Sequence, residues 1–273
     1  MTLGEAIKRL SDGGIENAKG EAREIFAHFG APRAMLADLR YECDSQGIED
    51  AISRRLQREP LQYILGEVEF CHEKYRVTPD CLIPRPDTEI LVEYASAHLK
   101  EGDLFADLCT GSGCVAISTL KATKNTCAVA VDISPRALEI AKENAETNGV
   151  SDRLTFIEKD LLAEGLEGEY DAILSNPPYI RDEVYLSLEE EIFHEPKIAF
   201  VGGDDGGLFY RRLIPLSLSA LKENGFIAME IGFDQGELLR ELAEENSCEI
   251  EIIKDYGGRD RVAVLRIKKN NDR

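Results

Sequence analysis

No apolar run in the chain approaches the roughly 20 residues of a membrane span, and the opening MTLGEAIKRLSDGG lacks the basic-then-apolar layout of a secretory signal. Both absences argue against a membrane or exported protein, so a cytoplasmic protein with no membrane partner is expected. Paired Cys-x-x-Cys spacing is also missing, and no His-x-His lies near a cysteine. Cys43, Cys71, Cys81, Cys109, Cys114, Cys127 and Cys248 are odd in number. They offer neither a disulfide framework nor a zinc ligand set, and read as small apolar core fillers. No metal is expected. Histidine is scarce: His28, His72, His98 and His194 are scattered and none sits in a recognised catalytic motif. His194, beside Glu195-Pro196, reads as a structural contact.

Positive charge is short as well. The net charge is −20, with 11 Lys/Arg against 14 Asp/Glu in residues 1–79 and 21 against 38 in residues 80–273. Enzymes that grip nucleic acid usually carry a basic footprint, because phosphate neutralisation supplies most non-specific affinity. The acidic larger part of this chain would repel a duplex, so no stable nucleic-acid binding is expected.

What remains is an ordinary core-forming composition, 43% hydrophobic and 31% charged over 273 residues, enough for one large α/β domain and a smaller partner. Residues 1–60 read as short helices. Ala6, Ile7 and Leu10 precede a Ser-Asp-Gly-Gly stop; Ala22, Ile25, Phe26 and Phe29 end at Gly30-Ala31-Pro32; a third run spans Ile48 to Leu56. Residues 61–83, with Tyr63, Ile64, Val68, Phe70, Tyr75 and Val77, suggest a β-hairpin connector. From residue 84 to 273, short apolar strands alternate with helices: Leu104–Leu108, Ala128–Val131, Leu154–Ile157, Ala172–Leu174, then Phe226–Ile231, Glu249–Ile253 and Val262–Ile267. The helices expected between the first three are Val115–Lys121 and Pro135–Asn148. Such repetition predicts a mostly parallel, doubly wound sheet with ligands beyond the carboxyl ends of its strands. Asp255–Arg261 is too short for a crossover helix, so the last two strands should be antiparallel. The fold class is therefore α/β with a small N-terminal helical domain, and a mostly parallel sheet that ends in an antiparallel pair resembles the Rossmann-like methyltransferase fold more than a dinucleotide dehydrogenase.

Two motifs fall at strand ends. Asp107-Leu108-Cys109-Thr110-Gly111-Ser112-Gly113 opens a helix, and Asp132 ends the next strand, where a carboxylate can accept both ribose hydroxyls of a nucleoside. By itself this also fits a dinucleotide fingerprint, or a tight turn with no ligand. Ser175-Asn176-Pro177-Pro178-Tyr179 is more specific. Its prolines fix the backbone and remove competing N–H groups, Asn176 adds a carbonyl acceptor, and Tyr179 offers a flat face. Together they can hold the hydrogens of a planar –NH2 group and aim its nitrogen at an electrophile.

Asn-Pro-Pro-Tyr after a fourth strand resembles the catalytic loop of amino methyltransferases. The flanks Pro60-Leu-Gln-Tyr-Ile-Leu-Gly66, Ile83-Pro-Arg-Pro-Asp-Thr-Glu89, Glu195-Pro-Lys-Ile-Ala199, Gly202-Gly203, Asp205-Gly206 and Asp255-Tyr-Gly-Gly-Arg-Asp-Arg261 narrow the resemblance to the release-factor glutamine methyltransferase family (PrmC/HemK). That family implies a class I methyltransferase domain, S-adenosyl-L-methionine as cofactor, and methylation of the glutamine in the Gly-Gly-Gln motif of class 1 peptide-chain release factors; the sequence does not fix an oligomeric state, and a monomer is expected. Carried over by position, Asp107, Cys109, Thr110, Gly111, Ser112 and Gly113 form the cofactor loop. Cys109 stands where many such loops have glycine, so the chain there is expected to keep negative φ. Asp132 would hold the ribose, Asp160 and Leu161 the adenine; Asn176, Pro177, Pro178 and Tyr179 would hold the substrate glutamine, with Asn176 also beside the cofactor. Arg85, Asp87 and Glu89 would sit near the site's mouth, more as loop-fixing pairs than as chemistry. Arg54, Arg55 and Arg58 in the helical domain would face a release factor, or simply solvent. The competing functions are an adenine-N6 nucleic-acid methyltransferase, a cofactor-binding regulator without catalysis, and an NAD oxidoreductase. Charge and flanks oppose the first, the complete Asn-Pro-Pro-Tyr loop the second, and the lack of a hydride-transfer constellation the third.

Overall fold

In the computed structural model, which describes residues 1–43 and 46–268, Thr2 starts the first helix. Its hydroxyl accepts from the Glu5 N–H while the Glu5 carboxylate accepts from the Thr2 N–H, a reciprocal capping box. From it run α1 (Leu3–Asp12), α2 (Ala18–His28), α3 (Gln46–Leu56) and the short α4 (Leu61–Leu65). Leu3, Ala6 and Leu10 of α1, Ile25 and Phe26 of α2, and Ile48 and Ile52 of α3 close one core, as the helical spacing predicts. These helices form a unit of Met1–Glu67 with Glu189–His194.

Two sequence expectations change here. Residues 61–65 are helical rather than the start of a hairpin: Leu61 and Ile64 lie one turn apart on a buried face, and Gly66 takes a left-handed φ of 76° that ends the helix. The cluster Arg54, Arg55 and Arg58 also does not present a free basic face. Arg55 is buried, with Nε 2.6 Å from Glu21 Oε2 and Nη1 3.0 Å from Glu191 Oε1. Arg54 pairs with Glu59 at 2.5 Å, and Arg58 donates to the carbonyls of Gly13 and Gly14, both at 3.2 Å.

The second unit comprises Val68–Leu188 and the chain from Glu195 onward. Strands β1 (Glu67–Phe70) and β2 (Glu73–Arg76) make a hairpin whose two turn residues, Cys71 and His72, both have positive φ, the backbone a two-residue hairpin turn requires. Then come α5 (Glu89–His98), β3 (Leu104–Leu108), α6 (Cys114–Ala122), β4 (Cys127–Asp132), α7 (Pro135–Thr147), β5 (Leu154–Glu158), β6 (Tyr170–Ser175), the four-residue α8 (Asp182–Tyr185), α9 (Leu208–Ala220), β7 (Leu221–Glu230), α10 (Gly236–Glu245), β8 (Cys248–Lys254) and β9 (Asp260–Ile267). The hairpin is part of this unit's core: Phe70 and Tyr75 pack with α5 and α6, and the Tyr75 hydroxyl meets Ser118 Oγ at 2.6 Å.

Seven strands form one sheet in the order β5-β4-β3-β6-β7-β9-β8. The first five are mutually parallel, and β9 lies antiparallel to both β7 and β8. Alternation along each strand fills both faces. Phe105, Ala128 and Val264 pack with α5 and α6 on one side; Ala106, Ile173 and Ile227 pack with α9 and α10 on the other. From β3 the chain winds outward through β4 and β5, then returns to lay β6 on the other side of β3. That reversal places β3 and β6 side by side at the switch point where open α/β sheets bind ligands. Among the described residues, no helix is long and apolar enough to cross a membrane.

Candidate active site

The two sequence motifs end on adjacent strands. Leu108 and Ser175 are register partners, and the Ser175 hydroxyl donates to the Leu108 carbonyl at 2.7 Å. Beyond them opens a cavity of about 480 Å³ whose walls include Cys109, Gly111, Asp132, Asp160, Leu161, Asn176 and Pro178. Asp107, Thr110, Ser112, Gly113, Pro177 and Tyr179 are not among the residues that line it. Ile133, Leu162 and Leu208, which the motifs did not identify, add apolar lining, as does Ile198 of the Glu195-Pro-Lys-Ile-Ala199 flank.

The first loop is organised from beneath. Asp107 is 1% exposed; its Oδ2 accepts the Thr110 hydroxyl at 2.6 Å and the Ala116 N–H at 3.1 Å. Burial pushes its carboxyl up to about 7, against the pull of Thr110 and Ala116. Gly113 caps α6 with φ 80°, and a Cβ there would meet Ala141 and Ile117 at 3.0 Å, so glycine is needed for both backbone and space. Cys109 corrects the sequence expectation: its φ is +60°, not negative. The chain must turn sharply off β3 at the switch point, and the left-handed conformation that favours glycine is kept although a thiol is attached. Burial, then the Asp132 and Asp107 charges, push the Cys109 thiol up, toward its protonated form.

Asp132, at the end of β4, accepts the Gly111 N–H on Oδ2 at 2.8 Å and the Ser134 N–H on Oδ1 at 2.9 Å. An ionised carboxylate has about four acceptor directions, so each oxygen keeps one for a ligand. Asp160 Oδ1 accepts the Leu162 N–H at 2.9 Å, which orients that carboxylate beside Leu161 and Leu162. A carboxylate with acceptor directions to spare, beside an apolar slot, is an arrangement that could take the hydroxyls and the flat ring of a nucleoside. Among the described residues, no group of three or more His, Cys, Asp and Glu is placed to hold a metal ion.

The second loop is held by residues the motif alone did not reveal. Asn176 Nδ2 donates to the Thr88 hydroxyl oxygen at 3.2 Å, Thr88 Oγ1 donates to Glu230 Oε2 at 2.5 Å, and the Tyr179 hydroxyl donates to Glu230 Oε1 at 3.0 Å. Burial, then the Glu230 charge, drives the Tyr179 hydroxyl upward, so it stays a donor. The remaining family-like flanks brace this arrangement. Arg85 Nη2 lies 2.5 Å from Glu195 Oε1, whose Oε2 accepts the Ile83 N–H at 2.9 Å. Asp87 pairs with Arg261 at 2.9 Å, and Glu89 accepts the Cys71 N–H at 2.7 Å. Gly206, with φ 75°, lies against the loop's backbone: a Cβ would come 2.4 Å from the Tyr179 carbonyl oxygen. Gln235 Nε2 donates to that same oxygen at 3.0 Å. The Asn-Pro-Pro-Tyr loop is therefore fixed by hydrogen bonds and by close packing at once.

Comparison with known proteins agrees with this geometry. Residues 2–66 match the family described as PrmC N-terminal domain, and residues 86–206 the family described as Methyltransferase small domain. The solved ribosomal protein L11 methylase from Lactobacillus delbrueckii subsp. bulgaricus has a similar fold, with a TM-score of 0.51 at 26% identity over 71% of this chain and 85% of that one. The release factor glutamine methyltransferase of Moorella thermoacetica is 38% identical over 96% of this chain and 95% of its own length. That of Geobacter sulfurreducens is 36% identical over 94% and 93%. With full-length identity at this level, and with the cavity, the strand-end loop and the helical N-terminal unit all present, the chain belongs to the release factor glutamine methyltransferase family.

Proposed function

We propose that the protein transfers a methyl group from S-adenosyl-L-methionine to the side-chain amide nitrogen of the Gly-Gly-Gln glutamine of class 1 peptide-chain release factors, and that it acts in the cytoplasm. The observation that carries this is the orientation of Asn176. Its nitrogen is engaged by Thr88, which leaves its oxygen as the acceptor at the cavity wall. S-adenosylmethionine supplies a methyl carried on a sulfonium, already a strong electrophile. The chain's own residues have to place a weak nucleophile, since an amide lone pair is delocalised into its carbonyl. Asn176 Oδ1 holds one amide hydrogen, and Pro177 and Pro178 stiffen the loop without adding N–H donors that would compete. Tyr179, tied to Glu230, holds the end of the loop in place. Fixing a nucleophile in line can supply on the order of 7–11 kcal/mol of a barrier. An acceptor on the amide hydrogen also stabilises positive charge developing on nitrogen. Among the described residues, no histidine lines the cavity, and the proton is acidic enough after transfer to leave to solvent. The deciding experiment incubates the protein with labelled S-adenosylmethionine and, separately, release factor and DNA. The methyl should appear on the release-factor glutamine by mass spectrometry; label on DNA alone would refute the assignment.

Asp132 is the proposed ribose acceptor. Each hydrogen bond to a charged acceptor contributes roughly 1.5–3 kcal/mol, so Asp132→Ala should weaken cofactor binding by at least about tenfold. Unchanged affinity by calorimetry in a folded variant would move the ribose elsewhere.

The helical unit is proposed as the docking surface for the release factor, without a free arginine face. Protein lacking residues 1–66 should keep cofactor affinity and lose on the order of tenfold or more in kcat/KM for release factor, tenfold corresponding to about 1.4 kcal/mol of docking. Full activity of that fragment would exclude docking through the helices.

A further inference from the structure

Glu230, at the end of β7, is 2% exposed and does not line the cavity, yet both its oxygens are committed toward the Asn-Pro-Pro-Tyr loop. The consequence lies in the direction of each hydrogen bond. A hydroxyl has one proton to give. An ionised carboxylate can only accept, so Thr88 spends its proton on Glu230 and turns a lone pair toward Asn176. A lone pair can be met only by the NH2 end of the Asn176 amide, which is the observed contact at 3.2 Å. With nitrogen turned inward, Oδ1 is turned the other way. On the other oxygen, Glu230 accepts a hydrogen bond from the Tyr179 hydroxyl and fixes that hydroxyl in the same manner.

We propose that Glu230, acting through Thr88, is a positioning residue that sets the polarity of Asn176, so that an oxygen and not an NH2 group is offered to the incoming amide. This rests on the reading above that Asn176 accepts a substrate amide hydrogen. A reversed amide would present two N–H groups to the N–H groups of the substrate, and the nucleophile would be pushed away instead of held. Burying a carboxylate is costly unless it is hydrogen-bonded and compensated. Here two hydroxyls bond it, and Arg261, held by Asp87 at 2.9 Å and Asp255 at 3.4 Å, supplies a nearby positive charge. Burial pushes the Glu230 carboxyl upward, while Thr88, Tyr179 and Arg261 pull it back toward the ionised form. Thr88 comes from the Arg-Pro-Asp-Thr-Glu flank and Arg261 from the Asp-Tyr-Gly-Gly-Arg-Asp-Arg flank, so both flanks act on Glu230, the first by a hydrogen bond and the second by its charge.

The test uses the full chain, S-adenosylmethionine and release factor. It reads single-turnover methyl transfer, cofactor Kd by calorimetry and melting temperature for Thr88→Val, Thr88→Ser, Glu230→Gln and Asn176→Ala. Thr88→Val keeps the shape and loses the relay, so transfer should slow by about 10- to 100-fold with Kd within about twofold of wild type. Thr88→Ser restores the hydroxyl and should return the rate to within about threefold. Glu230→Gln should slow transfer comparably, because its amide has a single oxygen and must donate to one of two hydroxyls that both need an acceptor. Should the Glu230 variant not fold, the two Thr88 variants decide. Near-normal transfer in Thr88→Val while Asn176→Ala is slow would overturn the relay and leave the role of Asn176 intact. Equal losses in Thr88→Val and Thr88→Ser would also overturn it, since packing rather than the hydroxyl would then matter. Near-normal transfer in Asn176→Ala would remove the reading on which the relay rests, and the relay with it.

Discussion

Asn176→Ala should slow single-turnover methyl transfer by roughly 100- to 1,000-fold, the usual loss for one preorganised partner of a developing charge, while cofactor affinity changes by no more than a few-fold. The reason is differential binding. An acceptor that contacts the amide more strongly as its nitrogen becomes positive lowers the barrier without tightening the ground state. Asn176 is also poorly placed to be a packing residue: it is half-buried at the cavity wall, between a backbone fixed by two prolines and a hydroxyl that takes its nitrogen. Asn176→Asp gives a finer reading. Ionised, the introduced carboxyl would face the Thr88 lone pair and lie near the Glu230 charge, so it would be driven toward protonation. Protonated, it donates to Thr88 and keeps a carbonyl oxygen for the substrate, as the native amide does. Its activity should therefore exceed that of the alanine variant at acid pH and decline as pH rises through its own titration. Wild-type turnover in Asn176→Ala, with unchanged Kd, would make the loop a structural element only.

The sequence disclosed the parts of this site that are local and hid those that are not. Asn176-Pro177-Pro178-Tyr179 and Gly111 to Gly113 are contiguous, so their chemistry can be read before any fold is known. The sheet was equally legible, because short apolar runs separated by helical spacing leave few topologies, and the short Asp255–Arg261 connection permits only an antiparallel return. Helices α9 and α10 were not anticipated. Pro215 sits inside α9, where proline normally argues against a helix, and tertiary packing of Tyr210, Leu213 and Ile214 prevails. Thr88 and Glu230 could not be found by spacing, since they lie 142 residues apart and meet only across the sheet. A buried-position glutamate directly ending an apolar strand, Phe226 to Met229, was the available signal. The backbone of Cys109 was misread because residue type is a weak guide where the turn off a strand is imposed by its neighbours. Arg55 shows the same limit for charge: a cluster of three arginines says nothing about Glu21 and Glu191, which take up the Arg55 guanidinium.

Asp107 gives the protein a stability profile that runs against ordinary acid denaturation. Its carboxyl is raised to about 7 by burial from an ordinary value of 3.8, and the Asp132 charge adds to the shift. With the folded value above the unfolded one, the folded state holds the proton more tightly. This contribution is therefore fully present below about pH 4 and is lost as pH rises toward and through about 7. At about 1.4 kcal/mol for each pH unit between the two values, the whole loss is on the order of 4 kcal/mol. Roughly half of that falls between pH 5.5 and 7.5. The net charge of −20 adds its own pH dependence through self-repulsion, so a single profile is not diagnostic; the comparison with Asp107→Asn is. Asparagine keeps an oxygen for the Thr110 hydroxyl or the Ala116 N–H and does not titrate. Urea unfolding of the cofactor-free proteins should find the variant weaker than wild type, or equal to it, at pH 5.5. It should gain about 2 kcal/mol relative to wild type by pH 7.5. Parallel profiles across that range would mean that Asp107 is already ionised at pH 5.5 in the folded protein, with Thr110 and Ala116 outweighing its burial.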